Sequence, residues 1–172
     1  MTRPLKLLLA AVLLLVLAGI VAFLVARMRP LAMYAAAGRR ALAKGGFSKA
    51  TVPSPAGPQA YFVGGSGPVL VLLHGAGDQA AAWSLVAPKL LAGRTVVIPD
   101  LAGHSESAPG SGPLAVETLL AGLSAVLDEA APKAPVTIVG NSLGGWLATL
   151  WAREHPERVE RIVLVNGGPL KH

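Results

Sequence analysis

Cysteine is absent from all 172 residues. That excludes a disulfide scaffold, a thiolate zinc site and a cysteine nucleophile, and leaves the redox compartment open. Aromatic residues make up only 5% of the chain, too few to interleave with basic side chains as a nucleic-acid surface would require. Acidic residues are missing from the first 49 positions, which hold eight bases; the rest carries seven bases against nine acids, a net charge of −2. The formal charge of +6 therefore resides in the N-terminal segment, and no nucleic-acid partner is expected of the remainder. The 20 glycines and 14 prolines follow no fixed period, which removes collagen and solenoid architectures.

What the chain does hold is apolar. Hydrophobic residues reach 53% and the mean hydropathy is +0.57, which excludes intrinsic disorder and points to a membrane segment. The length suits one domain and hardly two. Leu7 to Ala26 is a run of twenty uncharged residues, long enough as a helix to reach about 30 Å and cross a hydrocarbon core. Arg3 and Lys6 flank one end, and Arg27 and Arg29 the other. Residues 1–30 thus read as a single-pass anchor held by membrane lipid. The alternative is a secretory signal, cleaved near Ala35-Ala36-Ala37 to release the protein; the apolar run is longer than such signals usually carry. More bases follow the run than precede it, which favours a cytoplasmic main domain.

Residues 31–58 read as a basic stalk and a proline-rich linker. Met33–Lys49 is rich in alanine and bases; a helix lying on anionic headgroups and a solvated stalk both fit it. Thr51–Pro58, with Pro53, Pro55 and Pro58, reads as an extended linker.

From residue 59 to 172 strand-like runs alternate with helical ones. Strands are expected at Gln59–Val63, Val69–Leu73, Thr95–Ile98, Val136–Val139 and Arg161–Val165, and helices at Ala80–Leu91, Leu114–Ala130 and Leu143–Glu154. The short Val/Leu/Ile runs suit strands buried on both faces, and the alternation argues for an α/β fold with a parallel sheet covered on both sides.

Gly140-Asn141-Ser142-Leu143-Gly144-Gly145 contains G-x-S-x-G between a buried strand and a helix, the setting of a nucleophile elbow. The sharp turn places a serine in strained backbone, with Gly140 and Gly144 where a Cβ would clash. A glycine-rich turn with a capping serine is the plainer alternative. The helix beginning at Leu143 aims free N–H groups at developing negative charge. His74-Gly75-Ala76-Gly77 follows the Val69–Leu73 strand. The backbone N–H groups of Ala76 and Leu143 are the expected oxyanion donors, with Ser142 the nucleophile. His74 and Gly75 are expected to brace that loop.

In these residues the chain resembles the α/β-hydrolase superfamily. His74-Gly75 with Trp83 following, Pro99-Asp100-Leu101-Ala102-Gly103-His104, the elbow, and His155-Pro156-Glu157-Arg158-Val159 occur in the family's order over roughly residues 59–170. The resemblance implies a mostly parallel eight-stranded sheet with Ser142 as nucleophile. It also implies structural roles for Trp83, Asp100, His104 and His155. Ser105 stands where the family often has glycine. The hydrophobic anchor is similar to the membrane-bound monoacylglycerol-lipase and esterase branch, which implies a carboxylic ester substrate, with lipid acyl esters among the candidates. The elbow is also similar to that of carbon–carbon bond hydrolases.

The family's triad runs serine, acid, histidine along the chain. After Ser142 only Glu154, Glu157, Glu160, His155 and His172 remain, and none is placed as a base. Residues 59–172 therefore read as the N-terminal portion of such a domain, cut short before its acid and histidine, so that this polypeptide itself would be nearly inactive. Two further readings are a hydrolase-like binding protein without catalysis and an enzyme using His172 as an unusual base. No cofactor and no metal are expected: the four histidines are isolated, and Gly75-Ala76-Gly77 lacks the third glycine of a dinucleotide loop.

Overall fold

The computed structural model describes residues 3–132 and 135–167, in two units, Met1–Ala37 and Gly38–His172. Helix α1 spans Arg3–Met28 with no buried residue. At 1.5 Å per residue it is about 39 Å long, and it is long and apolar enough to cross a membrane. Pro30 opens α2, Pro30–Lys44. Its ring disfavours helical backbone at Arg29, which separates the two helices.

Among the described residues the second unit is built on a six-stranded sheet. The strands are β1 (Ser48–Val52), β2 (Gln59–Gly65), β3 (Val69–Leu73), β4 (Thr95–Pro99), β5 (Val136–Asn141) and β6 (Val159–Val165), in spatial order β1-β2-β4-β3-β5-β6. The β1–β2 and β2–β4 pairings are antiparallel, and β4–β3, β3–β5 and β5–β6 are parallel. Helices α3 (Val116–Ala130) and α4 (Leu143–Glu154) pack on this sheet.

The alternation of side chains along the central strands divides the core in two. Val71, Leu73, Val97 and Ile138 pack with Leu123, Val126 and Leu127 of α3 and with Leu147, Ala148 and Trp151 of α4. On the other side Leu70, Leu72, Val96 and Ile98 pack with Phe47, Phe62 and Leu42 of α2. Leu42 is fully buried, a burial that stabilises by roughly 2 kcal/mol. The Trp151 indole also donates to Ser124 Oγ at 2.9 Å, tying α4 to α3. Arg158 closes the carboxyl end of α3: its guanidinium donates to Asp128 at 2.8 Å and to the Ala131 carbonyl at 2.8 Å, with the Trp151 ring 5.5 Å away. The helix-end carbonyl thus gains a charged donor, which gives Arg158 a structural role.

Three expectations are corrected. Ser48–Val52, assigned to the stalk and linker, is an edge strand; its exposed Ser48, Lys49 and Thr51 conceal the apolar pattern that marks strands buried on both faces. Residues 53–58 form the loop of the β1–β2 hairpin, closed by Ser54 and Gly57 backbone bonds of 2.9 and 3.2 Å. Ala80–Leu91 is two 3-10 segments, Ala80–Trp83 and Ala87–Leu90. Pro88 lacks the N–H a continuous helix needs there, and its ring would meet the Ser84 carbonyl.

Candidate active site

Strand β5 carries the chain directly into Ser142, and α4 leaves from it. Ser142 is exposed, with φ 49° and ψ −113°. A non-glycine residue tolerates such backbone only when its surroundings over-determine it, and here they do. The Ser142 N–H donates to the Val165 carbonyl at 3.0 Å, and its own carbonyl accepts from the Trp146 N–H at 3.1 Å. A Cβ on Gly140 would lie 2.5 Å from the Gly144 carbonyl group and the Gly145 Cα; one on Gly144 would lie 2.6 Å from the Leu73 carbonyl oxygen. The two glycines let β5, α4 and the end of β3 meet at backbone distance. Gly167 closes the other side, where a Cβ would stand 3.1 Å from Ser142 Cα.

Leu143 is the first residue of α4, so its N–H has no partner within the helix. Ala76 is exposed in the turn Gly75–Asp78, closed by the Asp78 N–H donating to the Gly75 carbonyl at 3.2 Å. A Cβ on Gly75 would come within 3.5 Å of Ser142 Cβ, so this turn borders the serine. Both of the expected oxyanion donors therefore belong to backbone that adjoins Ser142.

His74 is buried beneath the turn, with both ring nitrogens committed to backbone. Nδ1 lies 2.8 Å from the Gly75 carbonyl, and Nε2 accepts the Leu101 N–H at 2.9 Å. This tautomer links the end of β3 to the loop after β4. His104 directs Nδ1 to the Ala102 carbonyl at 3.0 Å and packs edge-on against His74. Asp100 is buried too; one carboxylate oxygen accepts the Ala80 N–H at 2.7 Å, while its carbonyl accepts Ser107 Oγ at 2.6 Å. Ser105 has φ 50°, the left-handed backbone for which glycine is the easier residue. His155 ends α4 and stacks on Trp151 at 4.7 Å. Twelve steps of helix rise from Leu143 put it about 18 Å from the elbow. Among the described residues no side chain bonds to the Ser142 hydroxyl, and His172 lies outside them.

Burial holds the His74 imidazole below the usual histidine range, by penalising its charged form. His104 acts the same way, while the Gly75 carbonyl, Asp100 and Asp78 oppose it. Protonation of Nε2 would also set two donors against each other at Leu101. Since the folded pKa is the lower one, the unfolded chain binds more protons as pH falls through about 6.5. Stability contributed by neutral His74 is thus full above that pH and lost below it. The urea midpoint is expected to drop between about pH 7.5 and about pH 5.5, and His74→Gln to flatten that dependence. An unchanged slope in the variant would assign the acid sensitivity elsewhere.

Two features went unread in the sequence. Gly167 sits against the elbow after β6, behind Asn166 at φ 51°, and their only signal was a polar-glycine pair directly following an apolar strand run, which the structure leaves largely exposed rather than buried on both faces. Arg39 and Gln79, joined at 3.1 Å, lie 40 positions apart and carry no local pattern.

A family model described as alpha/beta hydrolase fold matches residues 68–172. The chain is similar to pimeloyl-[acyl-carrier protein] methyl ester esterase of Aromatoleum aromaticum, 43% identical over 102 residues, which cover 59% of this chain and 38% of the esterase. It is also similar to 2-hydroxy-6-oxo-2,4-heptadienoate hydrolase of Pseudomonas putida, 38% identical over 106 residues, covering 59% and 38% respectively. Among solved structures, a membrane phospholipase A described as a bacterial virulence factor superposes with a TM-score of 0.70. It is 30% identical, and the match covers 97% of this chain and 54% of that one. The chain spans about a third to two-fifths of the length of the curated relatives it matches.

Proposed function

Because the chain belongs to the alpha/beta hydrolase fold family, we propose that it contributes the nucleophile and oxyanion hole of a membrane-anchored serine hydrolase acting on acyl esters of lipids. Ser142 attacks the ester carbonyl, and the N–H groups of Ala76 and Leu143 receive the oxyanion. The observation that carries this reading is the exposed Ser142 at φ 49°, ψ −113°. Such backbone costs about 1–3 kcal/mol, which a purely structural or partner-binding role would not need.

The lipid part rests on α1. The similarity to the membrane phospholipase A extends over 97% of the chain and so includes the N-terminal helices. A single-pass anchor with the main domain on the side of the six trailing bases follows from the charge distribution. Among the described residues the general base stays unassigned: His74 is spent on backbone, His104 faces the Ala102 carbonyl, and His155 is a helix length away. Turnover requires such a base, since a serine without one loses several powers of ten in rate.

Fatty-acid release from phospholipid vesicles, measured on the protein as its own cells make it, tests the proposal. Release that disappears in Ser142→Ala supports it. Cleavage of a ring-fission dienoate with no ester turnover would favour the carbon–carbon hydrolase reading, which the Pseudomonas putida relative supports. The anchor is expected to keep the protein in the membrane pellet after alkaline carbonate washing, and removal of residues 1–28 to release it.

A further inference from the structure

The turn bearing Ala76 is fixed from both ends. On its amino side His74 binds the Gly75 carbonyl and the Leu101 N–H. On its carboxyl side Gln79 follows Asp78, whose carboxylate accepts the Gln79 N–H at 2.9 Å. The Gln79 amide oxygen in turn accepts from Arg39 Nη1 at 3.1 Å and from Ser105 Oγ at 3.2 Å. Arg39 also lies 3.6 Å from Glu106, which Lys49 of β1 engages as well. One guanidinium of α2 thus reaches two loops, the one with the proposed oxyanion donor and the one after β4. Gly38 permits this closeness, since a Cβ there would stand 2.8 Å from that of Ala81.

We propose that Arg39 is a positioning residue for the oxyanion turn, acting through Gln79. The inference rests on the serine hydrolase reading above. A planar guanidinium can serve the Gln79 amide and the Glu106 carboxylate together, because its donors fan out in a fixed fork. A lysine at the same place lacks the planar fork that holds both partners in one fixed geometry. The charge pair with Glu106 is partly exposed, with side chains 31% and 38% accessible, so it contributes little to stability. The geometry of the turn is a different matter. A donor displaced by about 1 Å forfeits up to about a hundredfold in rate, and loss of one oxyanion donor costs about 10²–10³.

The test is carried out on the protein as its cells make it, in membranes, with a p-nitrophenyl ester and a fluorophosphonate probe. Wild-type labelling that vanishes in Ser142→Ala establishes the underlying reading; failure at this step sinks that reading and not the Arg39 assignment alone. Given that result, Arg39→Ala is expected to lower kcat about tenfold or more with KM within about twofold. Its Tm is expected to fall by less than about 4 °C. Gln79→Ala should add nothing in the Arg39→Ala background, as expected for two residues acting through one contact. Arg39→Lys should restore Tm but not kcat, and Lys49→Ala, which leaves the Arg39–Gln79 bond intact, should leave kcat within about twofold. An unchanged kcat in Arg39→Ala, additive losses in the double variant, or a fall in kcat that tracks Tm across the series would each overturn the assignment.

Discussion

Ser142→Ala is expected to lower ester turnover by at least about 10³-fold in the protein as its cells make it, with the fold intact. In the proposed reaction the serine supplies the atom that forms the acyl intermediate; removing such a nucleophile costs up to about 10⁶ in kcat elsewhere. The residual rate would report the oxyanion donors and binding alone. Ser142 is exposed, and no side-chain hydrogen bond to its hydroxyl exists among the described residues. Alanine therefore leaves no buried polar group unpaired, and the urea midpoint is expected to move little. Ser142→Gly separates strain from chemistry. It relieves the φ 49° backbone and is expected to be as inactive as the alanine variant while at least as stable. Turnover persisting in either variant would remove Ser142 from the reaction.

The second large effect is on stability. Gly140→Ala is expected to cost about 3 kcal/mol or more, at the upper end of what overpacking does. The added methyl meets the Gly144 carbonyl carbon and oxygen and the Gly145 Cα, all at 2.5 Å. These are backbone atoms at the crossing of β5 and α4, so no side chain can rotate aside to make room. Relief would require the first turn of α4 to move away from the sheet, taking with it Leu147, Ala148 and Trp151. In urea the midpoint should fall by about 1–3 M, taking a slope of 1–3 kcal/mol/M. Gly110→Ala is the control, because nothing stands within 4 Å of its Cβ position, and its effect should stay within about 0.5 kcal/mol. Equal midpoints for the two variants would show that the elbow yields more easily than its contacts imply.

The parallel core strands were legible because both of their faces are buried. Val69–Leu73 and Thr95–Pro99 present unbroken apolar runs for that reason, and α4 begins and ends where its pattern says, Leu143 to Glu154. Ser142 could be picked out from its setting between β5 and α4 together with its two glycines. Edge strand β1 could not, since only Val52 of its five residues is buried and the other four give no alternation to read.

Local chemistry in the sequence determined the α/β class, the apolar N-terminal helix, the concentration of positive charge before residue 50, and the serine turn. These depend on periodicity, composition and neighbours within a few residues, which a linear reading contains. Tertiary structure alone decided the rest. It joined β1 to the sheet and bound His74 Nε2 to the Leu101 N–H. It also brought Arg39 to Gln79 and Gly167 to Ser142. Each of these is a contact between residues distant in sequence, made when the sheet draws its loops to one end. No run of neighbouring residues encodes it.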